Sequence, residues 1–155
     1  MIEAGGAAPG FSLPGDDGKT VSLTGFKGKP VVLYFYPKDD TSGCTREALD
    51  FTADAAAFRA LGAVVVGVSP DGVKSHQKFK QKHALDVLLV ADEEKSLAEA
   101  YGVWVEKSMY GRKYMGVDRS TFLIDGKGKV VNVWRKVKVP GHVAEVLEAV
   151  KALAK

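Results

Sequence analysis

The stretch YPKDDTSGCT, Tyr36 to Thr45, holds the one cysteine of the chain, Cys44, in a setting suited to making a thiol reactive. A thiol attacks as its thiolate, and a free cysteine with a pKa of about 8.5 is mostly protonated at neutral pH. Thr41 and Ser42 are helix-capping residue types, and Gly43 lets the backbone approach a ligand closely, so a helix starting near Ser42 puts Cys44 in its first turn. Backbone N–H groups there lack carbonyl partners and carry a partial positive charge, and both features favour an anion. Pro37 brings no N–H to a β-ladder and ends the strand before the loop. Glu47 falls in the same helical turn as Cys44, where the helix dipole favours negative charge. The plainer reading of Cys44 is a small buried apolar residue. Its place at a helix entrance after a buried strand argues against that, because ligands of α/β folds gather at the carboxyl ends of strands.

The elements that must hold this loop are legible as apolar runs. VVLYFY (Val31–Tyr36), AVVVGV (Ala63–Val68) and VLLV (Val87–Val90) read as central strands buried on both faces. Between the first two, Ala48, Phe51, Ala55 and Phe58 recur at helical spacing and Gly62 supplies a stop, which predicts one crossover helix joining parallel strands. DGVKSHQKFKQKHAL and DEEKSLAEAYGV each open on an Asp that can cap a helix. FSLPGDDGKTVSL near the start predicts a small hairpin, and STFLIDGKGKVVNVWRKV a second one about Asp125–Gly128. A final helix carries Val143, Val146, Leu147, Val150 and Leu153 on one face. Strands alternating with helices, closed by a hairpin and a last helix, predict an α/β protein of thioredoxin-like fold: a mixed central sheet flanked by helices, with an N-terminal β-hairpin.

Composition bounds the function. A chain of 155 residues, 46% apolar and 26% charged, suits one well-cored domain spanning residues 1–155. Its 22 Lys and Arg against 19 Asp and Glu are interspersed, which describes a solvated surface and not a nucleic-acid-binding tail. No run approaches the roughly 18 apolar residues of a membrane span, so a cytoplasmic protein is expected. A single cysteine makes no internal disulfide and no multi-thiolate zinc site.

Pro37, Thr41 and Cys44 match the Pro-x-x-x-Thr-x-x-Cys motif of the peroxiredoxins, the cysteine-based peroxidases. The wider stretches VVLYFYPKDDTSGCTREALDF, GVSPDGVKSHQKFKQKH and EKSMYGRKYMGVDRSTFLID resemble the bacterioferritin comigratory protein, or peroxiredoxin Q, subfamily over nearly the whole chain. The resemblance implies that Cys44 is the peroxidatic cysteine, passing through a sulfenic acid. It implies that the Thr41 hydroxyl donates to the thiolate or accepts from the peroxide and so orients it, that Pro37 shields the thiolate from water, and that Arg119 brings a fixed positive charge to the sulfur and the breaking O–O bond. Glu47 would hold Arg119 in place. The substrates implied are hydrogen peroxide and organic hydroperoxides, with no metal, haem or flavin cofactor, no nucleic acid or membrane partner, and a monomeric protein.

Two departures stand out. Relatives usually have Pro where Ser42 stands, and many carry a resolving cysteine at the place of Leu49 or near Lys80; here neither is Cys. A one-cysteine mechanism follows, with the reductant supplied from outside by a small thiol, a thioredoxin or a glutaredoxin. Other readings fare worse. A dithiol oxidoreductase needs Cys-x-x-Cys, and no second Cys exists. A Cys–His hydrolase needs His76, His83 or His142 beside Cys44, but the first two lie in a lysine-rich segment that reads as a solvated face. GDDGKT lacks the first glycine of a phosphate loop, since that position is Leu13. WRKVKV as a binding surface for a chaperone-like protein is matched by a simpler reading, an edge strand protected by charge.

Overall fold

The computed structural model describes residues 2–154. Its centre is a five-stranded sheet, ordered β5-β4-β3-β8-β9. In chain order these are β3 (Val31–Phe35), β4 (Val64–Ser69), β5 (Leu88–Ala91), β8 (Ser120–Ile124) and β9 (Val130–Trp134). The first three run parallel, and β8 pairs antiparallel with β3 in the middle of the sheet. Period-two alternation makes each central strand serve two cores. Val32 and Tyr34 face a layer built on Phe51, Phe58, Phe79 and Val146, while Val31, Leu33 and Phe35 face Leu97, Tyr101 and Phe122. This is why β3 and β4 read as apolar runs; β5, expected as a third central strand, is instead the edge of the sheet, its Leu89 and Val90 buried where Gly15 and Asp16 run alongside.

The first layer is supplied by α1 (Ser42–Ala53), α2 (Ala55–Ala60), α3 (Val73–His83) and α5 (His142–Leu153). The crossover expected as one helix is therefore two, broken at Asp54. No Gly or Pro marks the break. The Thr52 hydroxyl donates to the Ala48 carbonyl at 2.8 Å and accepts the Asp86 N–H at 2.9 Å, and such back-bonding by Thr bends helices. The opposite layer holds the short α4 (Ser96–Ala100). Asp92 satisfies its opening N–H groups, accepting from Leu97 at 3.1 Å and Ala98 at 2.9 Å. Asp71, expected to cap α3, does not; Gly72 stands at that cap with no side-chain bond.

The N-terminal hairpin forms as expected from β1 (Ser12–Pro14) and β2 (Thr20–Ser22). A hairpin that the apolar pattern does not announce is made by β6 (Trp104–Met109) and β7 (Arg112–Val117). Its two-residue turn places Tyr110 at φ 52° and Gly111 at φ 78°, the doubly positive combination that suits a tight hairpin and that Tyr rarely adopts. At the far edge, β9 stops at Trp134, so Arg135, Lys136 and Lys138 lie beyond the strand they were expected to guard.

Candidate active site

Chain direction alone brings the Cys44 loop to the carboxyl end of β3. The Tyr36 N–H makes a last ladder bond to Val68 at 3.0 Å; Pro37, half-buried, has no N–H to continue it. Thr41 is extended (φ −93°, ψ 156°) and occupies the N-cap of α1, with Ser42 as the first helical residue and Cys44 in the first turn. Cys44 is 2% exposed and packs among Tyr34, Tyr36 and Ala48.

The residue just before β8, Arg119, reaches this turn from the neighbouring strand. Its Nη2 donates to Cys44 Sγ at 3.2 Å, and its Nη1 donates to Glu47 Oε1 at 2.7 Å. Glu47 and Cys44 lie three apart on one face of α1, so a planar guanidinium spans both. Glu47 is fully buried and its Oε2 meets no partner among the described residues. Burial pushes the Glu47 carboxyl up to about 7, against the pull of Arg119. Burial works against the charge on Arg119, but Glu47 and Cys44 outweigh it and hold the guanidinium more firmly protonated than usual. Gly43 has a local reason: a Cβ there would stand 3.2 Å from Arg119 Nη2 and crowd it. Tyr34 lies beneath, fully buried with its hydroxyl unpartnered among the described residues; burial, then the charges of Glu47 and Cys44, push the phenol well above its ordinary range.

Thr41 makes a different contact from the one its cap position suggests. Its hydroxyl donates to the Lys38 carbonyl at 2.9 Å and makes no bond to the helix N–H groups, and the residue is exposed.

The histidines are not where the sequence pattern suggests. His76 is fully buried, not on a solvated face, and its Nδ1 lies 2.7 Å from Asp39 Oδ2. His83 Nε2 lies 2.8 Å from Asp40 Oδ1, and His142 Nε2 lies 2.8 Å from Thr121 Oγ1. None of the three hydrogen-bonds to Cys44, so the geometry offers no Cys–His pair. The Asp39–His76 pair beside the Cys44 loop escapes sequence reasoning; two aspartates after Pro37 and two histidines seven apart were its only traces. Among the described residues no group of three or more His, Cys, Asp or Glu side chains is arranged to hold a metal ion.

Residues 4–133 match the AhpC/TSA family. The peroxiredoxin Bcp of Bacillus subtilis is 54% identical over 153 residues, covering 99% of this chain and 98% of that protein. The bacterioferritin comigratory protein of Xanthomonas campestris superposes with a TM-score of 0.90 at 46% identity, covering 94% of this chain and 92% of that one. A mutant of PrxQ from Xylella fastidiosa gives a TM-score of 0.95 at 38% identity, over 100% and 99% of the two chains. The fold is thus that of the thioredoxin-fold peroxiredoxins, and the relatives make the protein a thiol peroxidase. The chain belongs to the AhpC/TSA family, and its relatives are peroxiredoxins of the Bcp, or Q, type.

Proposed function

We propose that this thiol peroxidase works through Cys44 alone, with Arg119, Thr41 and Pro37 completing the site and Gly43 and Glu47 supporting it. The observation that carries the reading is the single guanidinium shared between Cys44 Sγ and Glu47 Oε1 at a helix entrance. The thiolate attacks the terminal oxygen of the peroxide; the S–O bond forms as the O–O bond breaks. The departing oxygen takes the proton of the attacked oxygen and leaves as water or alcohol; Cys44 is left as the sulfenate, which becomes the sulfenic acid by taking a proton from solvent. Arg119, charged and already aimed at the sulfur, stabilises the negative charge as it moves from sulfur to the leaving oxygen, without reorganising during the step. The Thr41 oxygen can accept a hydrogen bond from the peroxide while its own O–H donates to the Lys38 carbonyl.

With one cysteine in the chain, the sulfenic acid is resolved by an external thiol, which expels water to form a mixed disulfide that a second thiol then reduces. That reductant is a thioredoxin, a glutaredoxin or a small thiol, and the protein acts as a cytoplasmic monomer. The X. campestris relative is described by its alkyl peroxide reduction activity, which supports organic hydroperoxides as substrates here alongside hydrogen peroxide. Steady-state peroxide consumption tests the proposal, run in parallel with glutathione plus glutaredoxin and with thioredoxin plus its reductase. Turnover that depends on Cys44 and on an added reductant is expected. Turnover retained in Cys44→Ser contradicts it.

A further inference from the structure

The loop that delivers Cys44 is held from one side by a buried Asp–His pair. Both ring nitrogens of the fully buried His76 face oxygens that serve as acceptors: Asp39 Oδ2 lies 2.7 Å from Nδ1, and the Val90 carbonyl on β5 lies 2.9 Å from Nε2. Tyr36 Oη also stands 3.4 Å from Nδ1, but its proton is committed to Asp39 Oδ1 at 2.6 Å, so a ring with an acceptor at each nitrogen satisfies both as the doubly protonated imidazolium. The Asp39 carboxylate accepts two further bonds, from Tyr36 Oη at 2.6 Å and Ser75 Oγ at 2.7 Å. The Asp39 N–H donates to Asp71 Oδ2 at 2.7 Å. The next residue, Asp40, sits at φ 58°, a left-handed conformation that a non-glycine residue keeps only when its surroundings over-determine it. Lys82 and His83, at the end of α3, grip its carboxylate at 2.7 and 2.8 Å. The anchors of both aspartates thus come largely from α3 and the turn that leads into it.

We propose that His76 is a positioning residue for the chemistry of Cys44: through Asp39 it fixes the 37–41 loop to α3, and so sets where Pro37, Thr41 and the start of α1 stand. The proposal rests on Cys44 being the peroxidatic cysteine. His76 acts through Asp39, since it makes no bond to Cys44. The groups facing it are Tyr36 from the end of β3, Asp39 from the loop, Asp71 from the turn before α3, and the Val90 carbonyl from β5. Burial pulls the imidazolium down, but the Asp39 hydrogen bond and charge, then Val90 and Asp71, outweigh it and leave His76 more basic than an ordinary histidine. When the proton is lost at higher pH, a ring lone pair meets the Asp39 carboxylate or the Val90 carbonyl, and the loop loosens.

The test compares two rates at Cys44 across a range of pH: single-turnover oxidation by hydrogen peroxide, and alkylation by iodoacetamide. Alkylation follows the thiolate, so the ratio of the two isolates how well the loop presents peroxide to it. NMR of the labelled His76 ring runs alongside. In the wild type both ring N–H groups should persist at neutral pH, and the ratio should fall as the ring loses its proton. His76→Asn keeps one amide donor for Asp39, and should lower the ratio roughly tenfold and abolish its pH dependence, with His76→Ala lower still. A single N–H at neutral pH, or a folded His76→Asn with a ratio within about twofold of wild type, overturns the proposal. If the variants do not fold, a wild-type ratio that stays flat while the ring titrates overturns it equally. Peroxide consumption that survives in Cys44→Ser is a separate result, and it defeats the assignment of Cys44 instead.

Discussion

Arg119 touches Cys44 from outside its own helix: the guanidinium Nη2 stands 3.2 Å from Sγ, and the two residues lie 75 positions apart in the chain. The hydrogen bond that aims it, from Arg119 Nη1 to Glu47, joins side chains that are 16% and 0% exposed, so water competes for it little. Orientation therefore matters as much as charge. Arg119→Ala should slow peroxide reduction by roughly a hundredfold, comparable to removing one preorganised donor from an oxyanion site. Arg119→Lys keeps the charge but cannot span sulfur and carboxylate, and should still cost roughly tenfold. Stopped-flow oxidation of Cys44 reads both. A lysine variant at the wild-type rate would reduce the role of Arg119 to bulk charge.

Glu47 makes a prediction about stability. Burial lifts its folded-state pKa from 4.5 to about 7, so between those values the native protein holds a proton that the unfolded chain has released. This contribution is complete below the unfolded value and is lost as pH rises through the folded one, by up to about 1.4 kcal/mol per pH unit. Glu47→Gln removes the titration. Urea unfolding midpoints should therefore fall less steeply between these two pH values in the variant than in the wild type. Parallel slopes would show that the carboxyl is ionised throughout.

Thr41 separates positioning from capping. Its hydroxyl donates to the Lys38 carbonyl and to no helix N–H group, so loss of the hydroxyl spares the helix cap itself. Thr41→Val should slow peroxide reduction roughly tenfold, equivalent to about 1.4 kcal/mol of transition-state stabilisation, while Thr41→Ser should recover most of it. The wild-type rate in Thr41→Val would limit the hydroxyl to holding the loop.

Much of this is legible in the sequence. The sheet could be read because β3, β4 and β5 are largely buried and spell that out as apolar runs. Cys44, Glu47 and Gly43 could be placed because a helix entrance has local chemistry, whereas Arg119 needed the family motif, since nothing local says which strand start will face α1. What stayed hidden was written in long-range contacts. Asp39 and His76 are 37 positions apart, and a buried histidine in a segment crowded with lysines leaves no periodic trace. The β6–β7 hairpin was missed because its strands are largely exposed on both faces and its turn opens on Tyr110, a residue that β-turn chemistry does not lead one to expect.

Ser42 is a point at which the chain can be improved. It is the first helical residue, where proline is favoured because the N–H there has no intrahelical partner, and the preceding Thr41 already has the extended conformation that a following proline demands. Ser42→Pro should raise stability by about 0.4–1 kcal/mol, chiefly by restricting the unfolded chain. Chemical denaturation measures it, and a destabilised variant would mean that the N–H of Ser42 is needed.

The absence of a second thiol is tested most directly by what one equivalent of peroxide leaves behind. Without reductant, the protein should gain a single oxygen by intact mass and become trappable by dimedone, and excess peroxide should carry Cys44 on to the sulfinic acid with loss of activity. Leu49→Cys, on an exposed position of α1, should instead capture the sulfenic acid as an intramolecular disulfide once the helix opens locally, and so lose the dimedone adduct. The account predicts one oxygen and one dimedone adduct on Cys44 in the wild type, and neither in Cys44→Ser. A wild-type protein that consumes peroxide without forming a sulfenic acid, or a Cys44→Ser variant that consumes it equally fast, would contradict it.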